Sequence, residues 1–198
     1  MRNKIALVLP SLAVLFLAGC VNIAPPTTPS ASPAASTPSA SPSASPSLAA
    51  ETFTPGAPAN QCRTANLTVS VRDEGASAGH LHFLVVFTNG GGTCVLSGYP
   101  GVQVVAAGAP MGVAGQEDSS VAVAPVTIAE HGTAVAQVTS VNIDPGGGPL
   151  GGACVVGHGD GYNITPPHSL QPILVSMANV PACSNGTAWM TVGPVVAG

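Results

Sequence analysis

Glycine and proline interrupt this chain so often that little of it beyond Gln61 is long enough for a helix, with 24 glycines and 20 prolines among 198 residues. A proline inside a helix removes a hydrogen bond and clashes with the preceding turn, and a glycine there costs about 1 kcal/mol. Between the breaks stand short runs of Val, Ile, Thr and Leu at roughly ten-residue spacing, the pattern of an all-β sandwich or barrel. The runs predict strands near 66–72, 81–88, 101–106, 121–128, 133–142, 162–165, 173–177 and 187–192.

Strand side chains repeat every two residues. Leu67, Val69 and Val71 therefore share one face, as do Leu81, Phe83, Val85 and Phe87. These faces are the expected core. Leu84 and Val86 fall on the opposite face, where an exposed strand would be polar. Either the loop 107–120 covers them or a partner does, which makes them a candidate recognition face. Gly90, Gly91 and Gly92 form a turn leading to Cys94, and Pro100 and Gly101 suit positions i+1 and i+2 of a type II turn. The glycines around His158 and those near Gly146 read as loops.

Charge excludes several functions. Charged residues are 6% of the chain, and after Lys4 the only basic residues are Arg63 and Arg72, against eight acidic ones, a net of −6 from Cys20 onward. Such a chain cannot neutralise a phosphate backbone, so nucleic acid is not an expected partner. Without a lysine after Lys4 it also lacks a phosphate-loop lysine, a Schiff-base lysine and a Ser-x-x-Lys pair.

The first residues read as an address. A basic start, Met1 to Lys4, precedes an apolar run from Ile5 to Ala18. At about 1.5 Å per residue, that run is too short to cross a hydrocarbon core of roughly 30 Å. It is the shape of a secretory signal, residues 1–19. The run ends in Leu17, Ala18, Gly19 and Cys20, which resembles the lipobox of bacterial lipoproteins. The resemblance implies lipidation of Cys20 and an anchor on the outer face of the cytoplasmic membrane. From Ala24 to Ala50 every residue except Leu48 is Ala, Pro, Ser or Thr, with seven prolines between Pro25 and Pro46. This composition has nothing to bury, so residues 20–60 are expected to be the lipidated cysteine followed by a disordered, proline-stiffened linker reaching into the cell wall.

With Cys20 assigned to lipid, Cys62, Cys94, Cys154 and Cys183 form an even set, the mark of a disulfide framework in an exported chain. Four cysteines allow three connectivities. Local pairing, Cys62 with Cys94 and Cys154 with Cys183, closes two loops of about thirty residues, each valued at roughly 3 to 4 kcal/mol by chain entropy. No two of them have C-x₂₋₄-C spacing, which disfavours zinc. Residues 61–198 are thus expected to form one disulfide-stapled β-sandwich, immunoglobulin-like in architecture.

The most distinctive unit runs from Phe87 to Val102 and contains Asn89, the three glycines, Cys94, Leu96, Gly98, Tyr99, Pro100 and Gly101. With Cys62 ahead of Leu67, Gly79 before His80, Gly132 before Thr133, Cys154 ahead of Pro166 and Pro167, and Cys183 near the end, it resembles a family of domains of unknown function, number 4232 of that series. That family occurs on actinobacterial lipoproteins and secreted proteins. The resemblance covers about 61–196 and implies an all-β domain with paired cysteines and no assigned catalytic residues. Glu130 and His131 depart from it, since the family more often has Pro before Gly132.

Several residues invite a chemical reading. His80 and His82 point to one face if both lie in the strand and are weak candidates for a metal site, with His131, His158, His168 or an acid as a third ligand. Surface histidines are the plainer alternative. His158 and Asp160 could join a serine in a hydrolase triad, but Gly-x-Ser-x-Gly and His-Glu-x-x-His are both absent. Tyr99 and Trp189 suit a sugar or peptide site, or a core. Asn66, Asn163 and Asn185 match the glycosylation sequon by chance in a Thr-rich β domain. No cofactor is indicated.

The expected function is a lipid-anchored, non-catalytic binding or adhesion module, with an unknown envelope protein or neutral glycan as partner. A structural or accessory envelope lipoprotein without a ligand is the alternative, and an extracellular hydrolase is the third reading. The anchor can be tested directly. Intact mass of membrane-extracted protein should show a diacylated Cys20 at the N-terminus, and Cys20→Ala should leave the chain unprocessed or shed; an unmodified Cys20 would refute the lipobox reading.

Overall fold

The structure is a computed structural model that describes residues 50–144 and 146–198. Cys20, the signal segment and the linker up to residue 49 lie outside the described residues. Eleven strands follow in order: β1 Leu67–Ser77, β2 His80–Asn89, β3 Cys94–Leu96, β4 Gly101–Ala106, β5 Ala109–Pro110, β6 Gln116–Glu117, β7 Val126–Ile128, β8 Thr133–Val141, β9 Val156–Thr165, β10 Ile173–Cys183 and β11 Met190–Ala197. Two short 3-10 segments, Thr64–Asn66 and Gly148–Ala153, accompany them. The chain is all-β, as the glycine and proline spacing requires.

A five-stranded sheet in the order β1-β2-β8-β11-β6 and a four-stranded sheet in the order β10-β9-β4-β5 make the two principal layers, with β3 and β7 as a separate pair. Ala78 (φ 48°) and Gly79 (φ 80°) join β1 to β2 in a two-residue hairpin that carries the left-handed backbone at both positions. The alternation places the core. Phe83, Val85 and Phe87 of β2, Ala134, Ala136 and Val138 of β8, and Val192 and Val195 of β11 are buried from one sheet, and Val102, Val104, Tyr162 and Ile164 from the other.

The signature between β2 and β4 has a physical basis. Asn89 is fully buried. Its Nδ2 donates to the carbonyls of Gly92 (3.0 Å), Ile128 (3.2 Å) and Ala129 (3.1 Å), while its Oδ1 accepts from the Gly91 N–H (2.9 Å). A Cβ on Gly91 would stand 2.6 Å from Asn66 Nδ2, so a larger residue there would displace the Asn66 side chain just ahead of β1. The turn delivers Cys94 to Cys62, with Cα atoms 4.9 Å apart, and Cys154 joins Cys183 at 5.1 Å. Both pairs are local, and neither crosses between the principal sheets as the immunoglobulin disulfide does.

Several elements differ from expectation. The glycine run 157–161 is not a loop but part of β9, which begins at Val156 and not near Tyr162. Its glycines serve close approach: a Cβ on Gly159 would lie 2.4 Å from the Val105 carbonyl oxygen and 2.5 Å from Val104 Cγ1, and one on Gly161 2.4 Å from the Val175 oxygen. In 121–128 only Val126–Ile128 is strand, because β7 has the three-residue β3 as its ladder, and Val121 and Val123 are each 45% exposed. β10 continues through Pro181 on a sheet edge, and β11 through Pro194 at a register slip between Val192 and Val195, the two places a strand tolerates proline. At the Pro100 turn the left-handed residue is Gly98 (φ 111°), and Gly101 already belongs to β4.

Residues 50–60, read from composition as the end of the linker, are packed on the domain. Phe53 bridges Ser169, the Thr54 N–H donates to the His168 carbonyl (2.8 Å), and Glu51 accepts from the Thr64 N–H (2.8 Å) and from Ser169 Oγ (3.1 Å).

Gly159→Ala should destabilise the domain by about 1–3 kcal/mol, the usual cost of forcing a methyl into a filled space. Gly186, with no atom within 4 Å of an added Cβ, is the control, and Gly186→Ala should change stability by less than about 0.5 kcal/mol. Urea unfolding of both variants measures the difference.

Candidate functional site

Two surfaces hold the residues that could recognise something. The first is the outward face of the five-stranded sheet. Register sets Val86 opposite Val135 and Val135 opposite Val196, so three valines from β2, β8 and β11 form one cross-strand row, with Leu84 beside it opposite Arg72 and Gln137. Leu84, Val86 and Val135 are half-buried, and Val196 is 45% exposed. No strand formed within the loop 107–120 pairs beside Leu84 and Val86. That loop feeds β5 in the other sheet and then β6, which lies beyond β8 and β11 from β2. Its end, Asp118 to Val121, leans over the β11 side, where the Tyr99 hydroxyl donates to the Val121 carbonyl (3.2 Å). Hydrogen bonds from the Ser120 hydroxyl and N–H hold the Asp118 carboxyl below its usual range and keep an anion there.

His80 and His82 share this outward face but not a metal site. His82 is engaged at both ring nitrogens, with Ser77 Oγ at 2.9 Å and Thr139 Oγ1 at 3.3 Å, and His80 Nδ1 lies 3.2 Å from the Ala78 carbonyl. Among the described residues no group of three or more His, Cys, Asp or Glu side chains lies together. His131 stands 3.7 Å from Glu130, and His168 Nδ1 is 3.1 Å from Thr54 Oγ1. The pair His158 and Asp160 is divided: His158 Nε2 is 3.4 Å from Asp144, and Asp160 accepts the Ala107 N–H at 2.8 Å.

The second surface is a cavity of about 250 Å³ at the edge where β1 and β10 meet. Both strands slip register there. β1 shifts between Asp73 and Gly75, and β10 between Ser176 and Val180, which leaves Met177, Ala178 and Asn179 out of the ladder with Asn179 left-handed (φ 60°). Such bulges bend a strand away from its partner and re-aim its side chains. The wall between them is aromatic. Phe83 and Tyr162 meet with ring centroids 5.3 Å apart, and Trp189, 5% exposed, closes the interior side. The Trp189 indole N–H is buried without a hydrogen-bond partner.

Sequence reasoning named Trp189 but missed Tyr162, Asp73 and the cavity itself, because the two register slips that open it leave no mark in an alternating pattern. A family model described as a domain of unknown function (DUF4232) matches residues 62–196. No curated protein and no solved structure matches the chain.

Burial pushes the Tyr162 phenol up from 10.0 to about 12. The native state therefore keeps a proton that the unfolded chain releases, so stability should fall as pH rises from 10 toward 12. Absorbance at the phenolate band should show a late ionisation that Tyr162→Phe removes, together with a weaker loss of stability over the same interval.

Proposed function

The chain belongs to the DUF4232 family of domains of unknown function, and on that footing we propose that it is a non-catalytic recognition module of the cell envelope. In this reading a lipid on Cys20 holds it at the outer face of the cytoplasmic membrane, and the Pro- and Ser-rich segment spaces the sandwich away from the bilayer. The observation that supports it is the in-register row Val86, Val135 and Val196, with Leu84 beside it, on the outward face of the five-stranded sheet, where Val196 is 45% exposed. Apolar side chains gathered on an outward face gain roughly 25 cal/mol per Å² when a partner removes them from water.

Charge narrows the partner. With a net of −6 from Cys20 onward, anionic wall polymers and lipid headgroups are repelled before contact, so the face suits a neutral or cationic envelope protein or a neutral glycan. Recognition of this kind needs neither turnover nor a metal.

Because no lysine follows Lys4, an amine-reactive reagent would miss the domain, and a photoreactive residue at Thr68, outward on β1, is the suitable probe. Leu84→Asp with Val86→Asp should lower partner crosslinking on living cells at least about ten-fold while strand content is unchanged, since each substitution removes an apolar contact and leaves a charge that loses its water in the interface. A folded double variant that captures the same partners as before would defeat this reading.

A further inference from the structure

We propose that Asn185 is a site of spontaneous deamidation, and that the carboxylate it becomes undoes a clamp around the Cys154–Cys183 disulfide. An asparagine side chain is most open to attack by the next backbone nitrogen when glycine follows, because glycine has no Cβ to hinder the approach. The chain carries this dipeptide twice, at Asn89–Gly90 and at Asn185–Gly186. The fold treats the two differently. Asn89 has no exposed surface and its amide makes four hydrogen bonds. Its nucleophile is engaged as well, since the Gly90 N–H donates to the Asn66 carbonyl at 2.7 Å. Gly186 is exposed, an added Cβ there would meet no atom within 4 Å, and its N–H makes no hydrogen bond among the described residues.

The step needs only water. The Gly186 nitrogen bonds to Asn185 Cγ and gives up its proton, the Cγ–Nδ2 bond breaks, and the amide nitrogen leaves with that proton as ammonia, closing a cyclic imide. Water then adds to either imide carbonyl and opens the ring, leaving aspartate or isoaspartate at 185, and nothing is oxidised or reduced. The consequence lies in what the amide was holding. Asn185 Nδ2 donates to the Ala153 carbonyl (2.9 Å) and to Thr187 Oγ1 (3.0 Å), while Oδ1 accepts from the Val155 N–H (3.4 Å). Ala153 and Val155 are the two neighbours of Cys154, so one side chain braces both sides of that half of the disulfide. A carboxylate keeps the acceptor but has no donor, and it turns an oxygen toward the Ala153 carbonyl. The same three hydrogen bonds restrain the side chain, so cyclisation waits on their local opening and runs more slowly than in an unfolded chain.

Asn89 is the internal control. Peptide mass mapping of the folded full chain, aged in neutral buffer, should show residue 185 converting to the acid while Asn89 stays an amide, with isoaspartate at 185 detected by its repair methyltransferase. In urea that unfolds the domain, both positions should convert. Gly186→Ala, which the open space around that residue permits, should slow conversion at 185 at least about five-fold and leave the urea midpoint where it was. Asn185→Asp should lower the urea midpoint, and the aged chain should show the same lowering in proportion to its converted fraction, which reads the clamp even if the variant does not fold. Equal conversion at 89 and 185 in the folded chain, or none at 185 by the time the unfolded chain has converted fully, overturns the site. An aged chain or an Asn185→Asp chain with an unchanged midpoint overturns the clamp.

Discussion

The buried amide of Asn89 ties the end of β2, the turn at Gly90–Gly92 and the end of β7 into one corner, and the rest of the molecule is arranged around it. Four hydrogen bonds to backbone satisfy the side chain within that corner. Few other residue types carry both donors and acceptor on so short a stem. The backbone continues the same joint, with the Asn89 N–H donating to the Gly132 carbonyl and the His131 N–H to that of Asn89. Because the corner is fixed, Cys94 arrives opposite Cys62, and β8 starts in register with Thr88. The family signature is thus the record of one satisfied polar group and of the glycines that let the chain pass it.

Away from that corner the two layers are held together by small side chains. Valine is the commonest buried residue, and glycines in β9 let β4 and β10 approach more closely than a methyl would allow. The pair Arg72 with Glu74 is exposed, and an ion pair of that kind contributes little. The large rings Phe83, Tyr162 and Trp189 gather at the one edge where both outer strands slip.

Much of this was legible because period-two alternation survives in β1 and β2, whose cores were read at Leu67, Phe83, Val85 and Phe87 from residue type alone. The cysteine count and spacing pointed to the pairing that the structure contains. The failures have a common cause, which is that sequence pattern reports propensity and not the neighbour. Glycines at 159 and 161 read as loop because their demand comes from Val105 and Val175 in other strands. The valines from Val121 to Val123 read as strand although no ladder is available to them. Proline at 181 and 194 looked like a stop, yet an edge and a slip accommodate it. Where the loop 107–120 runs relative to Leu84 and Val86 depends on its path through β5 and β6, which only the topology fixes.

The attachment of residues 50–60 bears on how the domain would carry a mechanical load. A pull on the chain ahead of Ala50 acts first on Glu51, Phe53 and Thr54, whose hold on Thr64, His168 and Ser169 amounts to one bridge and a few hydrogen bonds. That segment would peel before any full strand slid. The peeling stops at Cys62, which is covalently joined to β3, after releasing roughly 40 Å of extended chain. The fold is therefore built with a short extensible leader and a hard stop behind it, so that tension entering the sandwich from the leader arrives at a sulfur–sulfur bond at one corner.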